Sequence, residues 1–281
     1  MKNPLYESRT FTKPGGFTPG IEGPACDRAG NLYAVNYERQ HTIGRVTPDG
    51  ECCVFLELPN GSVGNGIRFS RAGDMFIADY PNHNILKVHM QTKELTVFAH
   101  EPEMNQPNDI AIADDDTLFA SDPNWNESTG NLWRIDPLGT VTLLESGMGT
   151  TNGIEVSPDN RTLYVNESVQ RRVWAYDLSA DKQVSGKRLL IEFPDFGMDG
   201  MRCDSEGNLY ITRYGKGTVA KLSPAGELLA EVKLNGTNCT NLTFGGPDGC
   251  TCYVTLADTG SVESFRVDIP GREWTMLQRR T

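Results

Sequence analysis

The sequence lacks the long apolar runs that membrane proteins need. No stretch approaches the roughly 20 apolar residues of a membrane-spanning helix, and the opening residues MKNPLYESRTF contain no apolar segment typical of a secretory signal peptide. The seven cysteines are an odd number and include no Cys-x-x-Cys pair, a usage that favours reduced thiols over a disulfide framework. We therefore expect a cytoplasmic protein with no membrane partner.

Positive charge is also scarce. The 281 residues include 26 Lys and Arg against 37 Asp and Glu, for a net charge of −11, and the basic residues are scattered. Because binding to nucleic acid needs clustered Lys and Arg, we expect no nucleic-acid partner. His83, His89 and His100 lack the spacing of a metal site or a catalytic triad, and no Gly-x-Ser-x-Gly motif supports a serine hydrolase.

The chain does contain one phrase that occurs six times. Each copy has a polar first residue, a short apolar run, a turn and a second apolar run, as in residues 152–165, NGIEVSPDNRTLYV. We call the first residue of each copy its leader. The leaders stand 42 to 47 residues apart, and each is Glu, Asp or Asn: Glu22, Asn65, Asn108, Asn152, Asp199 and Asn241.

Two further strand-like segments follow the two apolar runs of each copy, and no segment shows a convincing period of 3.6 residues. Four-stranded units of about 40–50 residues in tandem are typical of a β-propeller. We therefore predict an all-β fold, a six-bladed β-propeller of four-stranded antiparallel blades, as a single domain over residues 1–281. Since the sixth copy runs short of chain, we expect residues near 6–11 to complete the last blade.

The six leaders are expected to form a ring near one mouth of the central channel, because the first strand of each propeller blade is innermost. Two carboxylates and several amide oxygens would then face each other. Such hard oxygen ligands suit a divalent cation, Ca²⁺ above Mg²⁺, Mn²⁺ or Zn²⁺. We predict Glu22, Asn108, Asn152 and Asp199 as metal ligands. Asn65 and Asn241 could equally tie neighbouring strands together.

The loops after each second strand are expected to lie over the same mouth. They carry aromatic and amide side chains suited to a small, polar, ring-shaped ligand. The predicted substrate contacts are Tyr37, Asn124, Arg213 and Tyr214 from these loops, together with Asn65 and Gln106.

The repeats resemble the senescence-marker-protein-30/gluconolactonase family over about residues 20–267. The motifs that carry the resemblance are Ile21-Glu22-Gly23-Pro24, Pro107-Asn108-Asp109, the phrase from Thr151 to Asp159, Met198-Asp199-Gly200-Met201 and Asn241-Leu242-Thr243-Phe244-Gly245-Gly246. The resemblance implies that Glu22, Asn152 and Asp199 bind one divalent metal and that Asn108 binds metal or substrate. Sugar lactonases of the family commonly carry an arginine two residues before that asparagine, where this chain has Gln106.

We therefore predict a metal-dependent lactonase that hydrolyses the cyclic ester of a small, polar, sugar-like molecule, as a monomer or small homo-oligomer. The resemblance assigns Asp199 the catalytic role, as general base, acid or nucleophile. One alternative is a phosphotriesterase-type hydrolase like diisopropylfluorophosphatase, which shares the ring. Another is a non-catalytic propeller that serves as a binding module, although such a module needs no carboxylates on its axis.

Overall fold

The computed structural model describes residues 4–59 and 61–279. Within them the chain forms six antiparallel sheets of four strands, arranged as the six-bladed β-propeller that the repeats predict. The blades, from inner to outer strand, are as follows: β2 (Ala25–Cys26), β3 (Leu32–Val35), β4 (Thr42–Val46) and β5 (Cys52–Glu57); β6 (Gly64–Phe69), β7 (Met75–Asp79), β8 (Asn84–Val88) and β9 (Leu95–His100); β10 (Ile110–Ile112), β11 (Leu118–Asn124), β12 (Thr129–Ile135) and β13 (Val141–Met148); β14 (Thr151–Val156), β15 (Thr162–Glu167), β16 (Arg172–Leu178) and β17 (Val184–Glu192); β18 (Met201–Cys203), β19 (Leu209–Arg213), β20 (Thr218–Leu222) and β21 (Leu228–Lys233); and β22 (Cys239–Gly245), β23 (Thr251–Leu256), β24 (Ser261–Arg266) and β1 (Arg9–Thr10).

The turn between the first two strands of a blade is encoded by its polar residues. In blade four the Ser157 hydroxyl accepts hydrogen bonds from the backbone N–H groups of Arg161 and Thr162 at 3.2 and 2.9 Å. Asn160 adopts a φ of 58°, a left-handed conformation that asparagine tolerates better than most residues. The Ser-Pro-Asp-Asn sequence therefore reverses the chain and sets two apolar runs side by side.

The N-terminal segment provides the outer strand of blade six. Arg9 pairs with Ser264 and Thr10 with Glu263 in an antiparallel register. Beyond this strand, the Thr12 hydroxyl accepts the backbone N–H of Val262 at 2.8 Å, and the Phe11 ring lies 4.8 Å from that of Tyr253. The two ends of the propeller sequence are thus joined within one sheet.

The structure also contains a helix that the sequence pattern does not predict, α1 (Arg272–Gln278). It lies across the ends of the inner strands, opposite the leaders: Arg272 donates to the carbonyl of Ile112 at 2.8 Å, and Glu273 accepts from the backbone of Phe69 at 3.3 Å. Met276 and Leu277 are buried in the apolar core of blades one to three. Two turns of helix are too short to display a period, and their stability comes from packing.

The seven cysteines are all free thiols. Cys26 and Cys203, which hold equivalent positions in the first and fifth repeats, are buried and pack as small apolar side chains. No helix within the described ranges, 4–59 and 61–279, has the length and apolar character to cross a membrane.

Deleting residues 1–12 should lower thermal stability sharply, because it removes β1 and the packing of Phe11 and leaves the edge of β24 unpaired. We expect a loss of several kcal/mol in the free energy of unfolding. At roughly 2–4 °C per kcal/mol, the melting temperature in scanning calorimetry should fall by about 10 °C or more. Arg9→Ala, which truncates an exposed side chain of the same strand, is the control and should change it little. An unchanged melting temperature for the deletion would refute the closure role of β1.

Candidate metal centre and active site

Four of the six leaders meet at the channel end where the inner strands begin. The Asn241 side-chain amide donates to Oε2 of Glu22 at 3.0 Å, and Asp199 lies beside both Glu22 and the side chain of Asn152. These residues come from blades one, four, five and six, so closure of the propeller brings them together. The two carboxylates of the ring are therefore neighbours.

Burial and mutual repulsion make both carboxylates resist ionisation. Burial, followed by the charge of Asp109, raises the pKa of Glu22 to about 7. Burial, followed by the charge of Glu22, raises the pKa of Asp199 well above its ordinary value. Hydrogen bonds from the backbone of Gly23 and from Asn241 act in the opposite direction on Glu22. A cation between the two groups would relieve the repulsion.

Two amide oxygens of the ring are buried without a hydrogen-bond partner, Oδ1 of Asn152 and Oδ1 of Asn65. Leaving a buried acceptor unpaired costs about 1–3 kcal/mol, so their lone pairs are available to a ligand. The other side of the Asn152 amide is fixed, because Nδ2 donates to the Ser168 hydroxyl at 3.1 Å. Two carboxylates with unpaired amide oxygens are a donor set that fits a hard divalent cation.

From the sequence, a leader could either bind metal or substrate or tie neighbouring strands together. The Asn241 oxygen accepts the backbone N–H of Leu242 at 2.8 Å while its amide holds Glu22, so Asn241 ties neighbouring strands. Asn108 is buried, and its backbone bonds to Ser121 and Gly66 at 2.9 Å. Gln106, which is half-buried, is fixed through its backbone N–H to Asp122 at 2.6 Å. Their roles toward metal and substrate stay predictions.

Glycine follows four of the six leaders because the inner strands approach too closely for a side chain. A Cβ on Gly200 would fall within the side chain of Asn241, and a Cβ on Gly23 would overlap the carbonyl oxygen of Asn65. A Cβ on Gly66 would lie 2.8 Å from Oδ1 of Asp109. A glycine directly after the leader is thus the sequence feature that the narrow ring requires.

A buried network of charges lies below the ring and was not predicted from the sequence. Arg202 donates to Oδ2 of Asp109 at 3.0 Å. Arg68 lies 3.6 Å from Asp109, 3.8 Å from Glu155 and 3.7 Å from Glu273 of α1. We call Arg68, Asp109, Glu155, Arg202, Arg272 and Glu273 the ionic floor. Pairing with groups of opposite charge lets these side chains remain buried.

A pocket of about 330 Å³ opens beside Asn152 and Asp199. It is lined by Trp125, Asn152, Ser168, Val169, Gly197, Met198, Asp199 and Tyr214. Of the predicted substrate contacts outside the metal ligands, Tyr214 is the one that lines this pocket. Asn124 precedes the lining residue Trp125, and its side-chain oxygen accepts the backbone N–H of Glu127 at 3.2 Å.

Arg213 and Tyr37 lie away from the pocket lining. Arg213 is buried; it donates to Oδ1 of Asp195 at 2.8 Å, and its guanidinium lies 3.7 Å from the centre of the Phe193 ring. The Tyr37 hydroxyl lies 3.4 Å from the carbonyl of Cys52 on the outer strand β5. The sequence pattern predicted the end of the propeller at which these residues lie, but it did not predict the direction in which their side chains point.

Five pocket residues were not predicted as such from the sequence: Trp125, Ser168, Val169, Gly197 and Met198. Trp125 and Ser168 belong to the loops that were expected over the mouth, and Met198 precedes the leader Asp199. The signal that could have identified them was their position next to ring and loop residues. The apolar character of three of them concealed it, since such residues usually belong to the core.

The chain matches the sequence model of the family described as SMP-30/Gluconolactonase/LRE-like region over residues 5–258. It therefore belongs to this family, which confirms the resemblance in the repeats. It is similar to a gluconolactonase of Zymomonas mobilis, with 27% identity over 272 residues that cover 84% of this chain and 76% of that protein. It is also similar to pentonolactonase XacC of Haloferax volcanii, with 31% identity over 153 residues, 53% of each chain.

Among solved structures, the fold is similar to that of a calcium-binding protein, regucalcin, from Agrobacterium tumefaciens. The TM-score is 0.80 with 22% identity, over 96% of this chain and 95% of that one. At this level of identity the likeness shows the shared propeller fold.

Gly200→Ala should disrupt the ring, because the added Cβ would displace the Asn241 side chain that holds Glu22. We expect a loss of about 1–3 kcal/mol in the free energy of unfolding, measured by urea denaturation. The matched control is Gly197→Ala, whose Cβ would meet the nearest atom, the Ser168 carbonyl oxygen, at an ordinary 3.5 Å. Equal stability of the two variants would contradict the close approach.

Without divalent cations, stability should fall as pH rises from about 4.5 to about 7. The pKa of Glu22 is raised to about 7 in the folded protein from 4.5, so between these values the folded state keeps a proton that the unfolded chain releases. The measurement is the melting temperature in EDTA across this range, compared with Glu22→Gln. The melting temperature of the variant should fall less steeply as pH rises. An equal fall in both proteins would contradict the assignment of the effect to Glu22.

Proposed function

We propose that this protein is a divalent-metal-dependent hydrolase that opens the ester bond of a lactone. The observation that carries the proposal is the pair of facing carboxylates, Glu22 and Asp199, beside unpaired amide oxygens at the edge of a pocket. The names of the relatives, a gluconolactonase and a pentonolactonase, support a lactone as the substrate class. The similarity of the fold to regucalcin, a calcium-binding protein, supports Ca²⁺ as the ion.

Glu22, Asn152 and Asp199 would hold the ion, with Asn65 or Asn108 as further oxygen donors. When bound, the ion supplies a Lewis acid that polarises the lactone carbonyl and stabilises the negative charge that develops on its oxygen. The hydrogen bond from Asn152 to Ser168 fixes the orientation of the amide whose oxygen is unpaired. The bond from Asn241 does the same for Glu22.

Asp199 is the candidate to act on the substrate, because it is the carboxylate that belongs both to the ring and to the lining of the pocket. A cation between the carboxylates lowers the pKa of Asp199 and keeps it ionised at neutral pH. An ionised Asp199 can take a proton from the attacking water and return it to the alkoxide that leaves the opened ring. Direct attack by its carboxylate is the second route open to it.

The free cysteines support a reducing compartment such as the cytoplasm. The test of the function is metal analysis of the purified protein, followed by assays of a lactone panel and of organophosphate triesters with Ca²⁺, Mn²⁺ and Zn²⁺. Hydrolysis of lactones that stops in EDTA and returns with metal supports the proposal. Turnover of organophosphates alone would favour the phosphotriesterase alternative, and turnover of neither would favour a binding module.

Asp199→Asn should abolish lactone hydrolysis while metal still binds, because the amide keeps an oxygen ligand but cannot accept a proton at neutral pH. We expect kcat to fall by about 10²–10⁴-fold and Ca²⁺ still to raise the melting temperature. The matched control is Asp181→Asn in an exposed turn between β16 and β17, which should leave kcat unchanged. A kcat near that of the unchanged protein would remove Asp199 from the mechanism.

A further inference from the structure

The pocket beside the ring has an unusually apolar wall. Trp125, Val169 and Tyr214 line it while remaining 43%, 53% and 40% exposed, and the buried Met198 lies behind them. We call these four residues the apolar wall. Large apolar side chains gain free energy when they leave water, so three of them exposed around one cavity indicate a binding surface.

The polar side chains of Ser168 and Asn152, next to the wall, already use hydrogen-bond donors within the protein. The Ser168 hydroxyl donates to the carbonyl of Met198 and accepts from the Asn152 amide. The Asn152 amide also forms a side-chain hydrogen bond with Asp199, and its Oδ1 is an acceptor without a partner. A ligand hydroxyl placed against this wall has the Tyr214 phenol and the Trp125 indole N–H as partners. Any further hydroxyl would lose its water without a matching partner, which is unfavourable.

A strained loop extends the same surface. Phe196 has a φ of 44° and is 49% exposed, a costly conformation for an aromatic residue. Its ring borders the backbone of Gly215, next to Tyr214. The loop is held from below by Arg213, which bonds to both the carbonyl and the carboxylate of Asp195. The buried Arg213 thus fixes Asp195, the residue before Phe196 in this loop.

We propose that the apolar wall binds an alkyl substituent of the lactone, carried on the ring carbon that bears the ester oxygen. The inference deepens the proposed lactone hydrolysis and rests on it for the identity of the reacting ring. A cation held by the oxygens of the leaders would bind the carbonyl end of the lactone, and the wall would receive the alkyl chain. The preferred substrates are alkyl-substituted lactones rather than polyhydroxylated ones.

The test compares δ-valerolactone, its homologues with one to five carbons on the ring carbon next to oxygen, and glucono-δ-lactone. We expect kcat/KM to rise by up to about fourfold for each added methylene until the pocket is filled, from about 0.8 kcal/mol per buried CH₂. Glucono-δ-lactone should be the poorer substrate. A flat response to chain length, or a preference for glucono-δ-lactone, would overturn the inference while leaving lactone hydrolysis standing.

Variants of the wall residues test whether the gain in kcat/KM with chain length arises at the apolar wall. Val169→Thr and Trp125→Ala should each reduce the gain per methylene, because they make the wall polar or smaller. The matched control is Val97→Thr on the outer strand β9, where the valine is similarly exposed, at 57%, and should leave the gain unchanged. Circular dichroism and melting temperature confirm folding of each variant. An unaltered gain in both wall variants would place the alkyl group elsewhere and overturn the inference.

Binding of hydrolysis-resistant δ-lactams with the same substituents separates this inference from the proposed function. Calorimetric affinities that rise with chain length, with no turnover of any lactone, would uphold the apolar wall and refute the lactonase. Lactam affinities that do not change with chain length would refute binding of the alkyl group at the apolar wall, regardless of whether lactones are hydrolysed.

Discussion

The repulsion between Glu22 and Asp199 is the constraint around which the rest of the site is built. Two carboxylates about 4 Å apart repel by about 4 kcal/mol at an effective dielectric of ~20, and burial adds to that penalty. The fold nevertheless holds them together, with Asn241 on Glu22 and Asn152 on Asp199. Close packing of leaders against glycines leaves them little room to separate. Such an arrangement is stable at neutral pH only with a proton or a cation between them, and the second case is the basis of the proposed metal centre.

The ionic floor gives the ring a rigid base and connects it to the far end of the channel. The charge of Asp109 raises the pKa of both Glu22 and Asp199, and Asp109 is itself held by Arg202. From Arg68 the network passes to Glu273 on α1. Helix α1 covers that end and buries Met276 and Leu277 in the core. Within the described residues, the two facing carboxylates thus lie at one mouth and helix α1 covers the other.

Polarity divides the active-site mouth into two parts. The ring offers oxygen acceptors, whereas the wall of Trp125, Val169, Met198 and Tyr214 offers mainly apolar surface. A ligand that spans both needs an electrophilic, oxygen-rich end and an apolar end. Arg213 takes no part in this division, because its charge is paired with that of Asp195 in the loop that carries Phe196.

The sequence alone determined the six blades and the all-β class, because equivalent residues of a repeat occupy equivalent places in a pseudo-symmetric fold. It also predicted that the leaders would meet, and four of them lie together. It also placed Tyr214 on the loops over the mouth. Only the tertiary structure decided where individual side chains point. Arg213 turns inward because it pairs there with a carboxylate and packs on an aromatic ring, and Tyr37 turns toward an outer strand. The sequence pattern also did not predict the short helix α1 or the apolar wall. Each depends on contacts between segments far apart in the chain, and a local periodicity contains no information about such contacts.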